Sequence, residues 1–340
     1  MKICIFSRPF YPAVGGLEQM AKILAYEFAA LNCNVEVVTD TLGIGDDNKF
    51  PFNITRTSSF KKRYVAFKHA DIVLFMNFTF SGVPVAMLAR TPIVLSHHGV
   101  YRFSGVVKTQ IIEFTKRQLT RLFFNISVSH YVANNIPGKS TVIPNAYDNQ
   151  LFRYTQVHRI RDFVFCGRLV SDKGVDILID AFKLVLQTYP SANLTIIGEG
   201  PDRKKLEVQA GDINKANILF TGILRDKILV DKLQEHTCMV IPSLWDEPFG
   251  IVALEGIASC DTVISSNCGG LPEAVGECGI LIEPTIENFA SKMKEVLHSK
   301  KNNSLLSGQP TYKKRIDHLN KHRPNIMAQS YLDFIYKALK

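Results

Sequence analysis

Short apolar, β-branched runs alternate with helix-periodic runs along most of this sequence, and the alternation occurs in two successive series. Few architectures satisfy that pattern. Such runs suit parallel strands covered on both faces, and a parallel crossover is long enough to need a helix. In the first series Ile3 to Phe6 is followed by Gly15-Gly16 and a helical pattern over Leu17 to Leu31. The next strands are Val35 to Thr39, Ile72 to Phe75, Ile93 to Ser96, Ile126 to Ser129 and Thr141 to Ile143. The second series has strands at Phe163 to Cys166, Leu194 to Ile197, Ile218 to Thr221, Cys238 to Ile241, Thr262 to Ser265 and Ile280 to Ile282, with a helix over Val175 to Gln187. The expected fold is α/β, with two doubly wound Rossmann-like domains facing each other across a cleft. A chain of 340 residues suits two domains of about 150 residues each. The expected boundaries are 1–149, 150–323 and a C-terminal helix over 324–340, for which a return to the first domain is one open arrangement. Thr41 to Phe60 has no clear periodicity and reads as an exposed connection.

The most informative local stretch is Trp245-Asp246-Glu247-Pro248-Phe249-Gly250-Ile251, leading to Glu255. It follows the strand Cys238 to Ile241 and enters a helix-like run, so Glu247 falls in a strand-to-helix loop and Glu255 inside the helix. Ligands of open α/β sheets bind outside the carboxyl ends of the strands. An acid in a first helical turn is otherwise ordinary dipole compensation. Gly167-Arg168 and Lys173-Gly174 end the second domain's first strand. Arg offers a forked pair of donors and Lys a compact charge, a set that suits a diphosphate, although a turn beside a helix start also tolerates both. Gly269-Gly270-Leu271-Pro272-Glu273 follows the strand Thr262 to Ser265, and its glycines can bring backbone N–H groups near an anionic or hydroxyl-rich ligand. In the first domain His97-His98-Gly99 ends a strand. His98 is expected in the active site, and His97 behind it or in solvent. Pro144-Asn145 marks the crossover between domains, where Asn145 has either a turn role or a substrate role.

Charge narrows the partners. Residues 1–150 hold 16 Lys and Arg against 9 Asp and Glu, within an overall charge of +9. Lys61, Lys62, Arg63 and Lys68 form one basic cluster. Lys108, Lys116, Arg117 and Arg121 form another, interleaved with Val106, Val107, Ile111, Ile112, Phe114, Leu119, Leu122, Phe123 and Phe124. That second run fits either a peripheral contact with an anionic membrane or an ordinary core-facing helix with a basic outer side. No nucleic-acid recognition module accompanies the charge. The apolar start stops at Ser7-Arg8-Pro9, too early for a secretion signal, and no run of apolar residues is long enough to span a bilayer. Seven scattered cysteines without a C-x-x-C pair fit reduced thiols in a cytoplasmic protein.

In order along residues 3 to 283, Gly15-Gly16, His98-Gly99, Pro144-Asn145, Gly167-Arg168, Lys173-Gly174, Pro242-Ser243, Glu247 through Glu255 and Gly269 to Glu273 resemble the GT4-type retaining glycosyltransferases, which have the GT-B fold. The resemblance implies transfer of a hexose-type sugar from a UDP- or GDP-sugar to a glycan or lipid-linked glycan, in cell-envelope polysaccharide or lipopolysaccharide synthesis. It assigns catalytic roles to His98, Glu247, Arg168 and Lys173. It assigns donor contacts to Gly16, Arg168, Lys173, Glu247, Phe249, Gly250, Ile251, Glu255, Gly269, Gly270 and Leu271. No metal site and no cofactor beyond the donor substrate is expected, because the sequence lacks an Asp-x-Asp motif. The usual Pro-Asn-Gly-Val-Asp form appears here as Pro144-Asn145-Ala146-Tyr147-Asp148. A cytoplasmic location, peripheral at the inner face of the membrane, follows from the same resemblance with the basic first domain. Rival readings are a nucleotide-sugar epimerase or phosphorylase of related fold, and a non-catalytic nucleotide-sugar-binding module. A nicotinamide dehydrogenase lacks its glycine fingerprint.

Overall fold

The computed structural model describes residues 1–340 apart from positions 14, 44–46, 102–106, 212, 303 and 305–308. Two compact units emerge: Met1–Ala146 together with His322–Lys340, and Tyr147–Lys321. Both are parallel sheets flanked by helices.

The first unit runs β1 (Lys2–Phe6), α1 (Gly16–Ala30), β2 (Asn34–Thr39), β3 (Asn53–Arg56), α2 (Phe60–Lys68), β4 (Ile72–Met76), α3 (Val83–Ala89), β5 (Ile93–His97), α4 (Val107–Leu119), β6 (Phe124–Ser127), α5 (His130–Asn134) and β7 (Ser140–Val142). Its strand order is β3-β2-β1-β4-β5-β6-β7. The continuous apolar runs of β1 and β4 are buried because helices cover both faces of the sheet. Phe6, Phe67 and Phe75 meet at ring-centroid distances of 5.3–5.9 Å, filling the space between α2 and the sheet. The stretch expected as an exposed connection contains β3, which pairs with β2 from Glu36↔Asn53 to Thr39↔Arg56. Ile54 is the only large apolar residue of β3, so this edge strand carries no periodic signal. Arg63 is turned inward and is not part of a basic surface. It pairs with Asp40, donates to Ser81 O at 2.7 Å and lies over the Phe6 ring.

The second unit runs β8 (Arg161–Cys166), α6 (Val175–Leu186), β9 (Leu194–Ile197), α7 (Arg203–Gln209), β10 (Ile218–Gly222), α8 (Asp226–Gln234), β11 (His236–Ile241), α9 (Ile251–Ile257), β12 (Thr262–Ser266), α10 (Leu271–Val275), β13 (Ile280–Ile282), α11 (Ile286–Lys301) and α12 (Tyr312–Lys321). Its order is β10-β9-β8-β11-β12-β13. Helical spacing brings Val175, Leu178, Ile179, Phe182 and Val185 of α6 to one buried face, which packs with Phe289 and Met293 of α11. Deleting a ring such as Phe182 from such a core costs about 3–5 kcal/mol. The last helix, α13 (Pro324–Ala338), starts with proline at its first turn and packs against α1 in the first unit.

In each sheet the winding reverses once, between β1 and β4 and between β8 and β11. The carboxyl ends of those strand pairs are where a doubly wound sheet leaves a crevice for a ligand.

Candidate active site

In the second unit three loops from the adjacent strands β8, β11 and β12 are tied into one floor. Asp172 O accepts from Leu244 N at 2.9 Å and from Trp245 N at 3.2 Å, joining the β8 loop to the β11 loop. Gly174 has φ +63°, and a Cβ there would lie 2.0 Å from Pro242 O, so only glycine lets these two loops approach. Gly270 N donates to Glu247 O at 2.6 Å, and a Cβ on Gly269 would fall 2.4 Å from that same carbonyl. The paired glycines therefore bring the β12 loop against Glu247.

On this floor Lys173 Nζ donates to Glu247 Oε1, which also accepts from Ser243 Oγ at 3.0 Å. The Arg168 side chain is exposed and has no hydrogen bond or ion pair among the described residues, so it is available to an anion. Glu255 lies on α9, and its pKa is raised to about 7 by burial and by the nearby Asp148 carboxylate. Such a carboxyl is poised between its neutral and ionised forms at neutral pH. Phe249 and Leu271 are buried, so their side chains shape the floor. Any ligand contact at these two positions belongs to backbone, and Leu271 N already donates to Cys268 O at 3.1 Å. Gly250, at φ +94°, passes close to the Leu271 side chain, and Ile251 opens α9.

The first unit has its own crevice at its reversal point. A cavity of about 630 Å³ is lined by Arg8 after β1, Asp40 after β2, Asn77 and Phe78 after β4, and Ile112 and Lys116 of α4. Asp40 is fixed by Arg8 at 3.1 Å and by Arg63. Beside these loops, His98 follows β5. Its backbone N donates to Asn77 Oδ1 at 2.7 Å, and its Nε2 lies 2.8 Å from Ser96 Oγ. Burial and the neighbouring His97 pull the His98 pKa down to about 3, so the ring is neutral. His97 is not in solvent: burial lowers its pKa to about 4, and both ring nitrogens are bonded inside the unit. Asn125 gives its amide hydrogens to three carbonyls, which fixes Oδ1 as the acceptor for His97 Nε2–H. Tyr101 OH then donates to Nδ1 at 3.1 Å. Gly16 begins α1. Asn145 is buried, its carbonyl accepts from His322 Nδ1 at 3.1 Å, and its Oδ1 has no partner among the described residues.

Sequence reading did not single out Asn77, Ser96, Tyr331, Asp40 or Ser243 as neighbours of these groups. Asn77 had a signal, a lone amide at a strand end; its φ of +70° is tolerated by asparagine more readily than by most residues. Among the described residues no group of three or more His, Cys, Asp or Glu side chains could hold a metal ion.

Two Rossmann-like parallel units carrying loops of this kind define the GT-B class of glycosyltransferases. The family model described as glycosyl transferases group 1 matches residues 149–319, half of the chain, and the chain belongs to that family. A glycogen synthase of Mycobacterium tuberculosis is 36% identical over 143 residues, covering 40% of this chain and 34% of the relative. The sulfoquinovosyl transferase SQD2 of Arabidopsis thaliana is 26% identical over 259 residues, covering 67% of this chain and 49% of the relative. The chain spans between about a third and a half of the length of the first curated relatives it matches. Among solved structures, Anabaena Alr3699/HepE in complex with UDP-glucose superposes with a TM-score of 0.81 at 17% identity, over 99% of this chain and 100% of the other. A sucrose-phosphate synthase from Thermosynechococcus elongatus does so with 0.75 at 17% identity, over 99% and 98%. At such identities these structures speak for the fold alone.

Proposed function

We propose that this chain is a retaining, metal-independent glycosyltransferase that moves a hexose-type sugar from a UDP- or GDP-sugar to a hydroxyl of a glycan or lipid-linked glycan. The observation that carries the reading is the meeting of Lys173 with Glu247 on the glycine-built floor where the second sheet reverses. Arg168 and Lys173 take the diphosphate and stabilise the charge that develops on the leaving group. Glu255 receives the nucleotide ribose. Glu247 serves the sugar hydroxyls, with the backbone of Phe249, Gly250, Ile251, Gly269, Gly270 and Leu271 lining the donor. His98 and Gly16, on the first unit, serve the transferred sugar and the donor. UDP is favoured by the UDP-glucose complex of the structural neighbour.

The acceptor side also supports a lipid-linked substrate and peripheral contact with an anionic membrane at its cytoplasmic face. No residue of α4 is buried, and Val107 (68% exposed), Ile111 (60%) and, just beyond the helix, Leu122 (67%) present apolar side chains beside Lys108 and Arg121. These exposed positions favour the membrane reading, while Leu119 and Phe123 of the same run pack on the core as an ordinary helix would. Val106, part of the same sequence pattern, lies outside the described residues. No helix among the described residues is long and apolar enough to cross a membrane. The setting would be cell-envelope polysaccharide or lipopolysaccharide synthesis.

The test is transfer from a panel of UDP- and GDP-hexoses to glycan and prenyl-linked glycan acceptors, with and without a chelator. Nuclear magnetic resonance of the product reads the anomeric configuration. Acceptor-dependent transfer with retention and no loss on chelation is expected. Sugar consumption that requires inorganic phosphate instead of an acceptor would show a phosphorylase, and interconversion of the donor would show an epimerase. Binding without turnover would leave a nucleotide-sugar-binding module.

A further inference from the structure

The hydrogen bonds behind His98 have a direction. Tyr331, on α13, is fully buried, and its hydroxyl lies 2.6 Å from Ser96 Oγ; Ser96 is also fully buried and lies 2.8 Å from His98 Nε2. Among the described residues neither hydroxyl has another partner, and His98 Nδ1 has none. A serine hydroxyl has one proton to donate. If Ser96 gives it to Tyr331, the tyrosine proton is left inside the core without an acceptor, an arrangement that folded proteins avoid. If Ser96 gives it to His98 Nε2, Tyr331 donates to Ser96 Oγ and both protons are used. The second arrangement requires that Nε2 be unprotonated.

We infer that Ser96, which Tyr331 orients by donating to its oxygen, holds His98 in the Nδ1–H tautomer, so that this histidine acts in the reaction as a neutral hydrogen-bond donor and not as a general base. Tyr331 and Ser96 are positioning residues. The far end of the loop is held independently, by His98 N donating to Asn77 Oδ1. The two adjacent histidines therefore carry opposite tautomers, Nε2–H on His97 and Nδ1–H on His98. Protonating His98 would force Nε2 to donate and would reverse the whole chain. A donor at Nδ1 suits a sugar hydroxyl or a ring or carbonyl oxygen, and it cannot accept the proton of an attacking hydroxyl. The tautomer follows from the first unit alone; its part in transfer rests on the glycosyltransferase reading above.

The experiment is nitrogen-15 magnetic resonance of the full chain labelled at histidine, with His98→Gln used to assign the ring signals. In wild type, Nδ1 should resonate as a protonated nitrogen and Nε2 as an unprotonated one; the reverse would overturn the inference. Ser96→Ala removes the donor to Nε2 and should move His98 toward Nε2–H, with kcat falling about tenfold and KM nearly unchanged. Ser96→Thr keeps the hydroxyl and should restore the wild-type tautomer and rate, and Tyr331→Phe, which leaves Ser96 its proton and Nε2 as the one acceptor, should keep Nδ1–H. A fall in kcat in Ser96→Ala with the tautomer unmoved would refute positioning by Ser96. If Ser96→Ala fails to fold, the wild-type spectrum still decides the tautomer. Wild type with the Nδ1–H spectrum but no transfer activity would support the tautomer and sink the glycosyltransferase reading.

Discussion

Lys173 and Glu247 join the loops that follow β8 and β11, and the same Glu247 oxygen that receives the lysine also accepts from Ser243 Oγ. With side chains only 20% and 12% exposed, the pair is shielded from full solvent screening. On the proposed donor site an incoming diphosphate would compete with Glu247 for Lys173. An attached sugar would compensate by giving Glu247 hydroxyl donors, whereas the bare nucleoside diphosphate would not. Glu247→Gln is expected to tighten UDP while weakening UDP-sugar, narrowing or reversing the affinity gap between donor and product. Parallel titrations of both ligands check this, and an unchanged ratio would contradict it.

Glu255 gives the site a pH signature. Its pKa in the folded chain is about 7, against an ordinary value of 4.5. A carboxyl raised in this way contributes stability that is present below its unfolded pKa and lost as pH rises through about 7, here on the order of 3 kcal/mol. Glu255→Gln should flatten the stability profile between about pH 5 and pH 8, as read by denaturant melts across that range. Ribose hydroxyls donating to the carboxylate favour its ionised form. Nucleotide binding near neutral pH should accordingly release a proton in wild type and none in Glu255→Gln, measured by calorimetry in buffers of different ionisation enthalpy.

Gly174 is a tight point of the glycine-built floor. Gly174→Ala combines a Cβ 2.0 Å from Pro242 O with a φ of +63°. It should destabilise the chain by about 1–3 kcal/mol or more and weaken nucleotide binding, because the β8 loop must draw back from Pro242. Gly99→Ala is the control, since nothing lies within 4 Å of its Cβ and its melting temperature should stay at the wild-type value.

The α4 surface lets the proposed membrane contact be tested apart from folding. Ile111→Glu changes a side chain that is 60% exposed, so melting should be unaffected while co-sedimentation with phosphatidylglycerol vesicles falls several-fold. Wild-type binding should weaken with salt, because screening shortens the reach of Lys108 and Arg121. Equal vesicle binding by wild type and variant would remove α4 as the contact.

Much of the fold was legible because fully buried parallel strands write themselves as continuous apolar runs, as in Ile72–Met76 and the Cys238 to Ile241 part of β11. β3 was hidden because Asn53-Ile54-Thr55-Arg56 is a polar edge strand of four residues. The glycine-built floor of the second unit was legible for a different reason. Gly174, Gly250 and Gly269 occupy positive-φ positions and Glu247 a βα loop, so local sequence carries them. The surroundings of His98 were not, since Tyr331 reaches Ser96 across 235 residues of sequence, a pairing that no local pattern encodes. The inward turn of Arg63 was likewise invisible beside Lys61 and Lys62, because its partner Asp40 stands 23 residues away.

The most direct test of the account is calorimetric titration of wild type and Lys173→Ala with a UDP- and GDP-hexose panel. The account predicts one selective wild-type donor whose affinity falls about 10- to 100-fold in the variant, the loss of a charge-assisted hydrogen bond. Donor binding of equal strength in both proteins would contradict it, since the diphosphate would then lie somewhere other than the floor that Lys173 and Glu247 build.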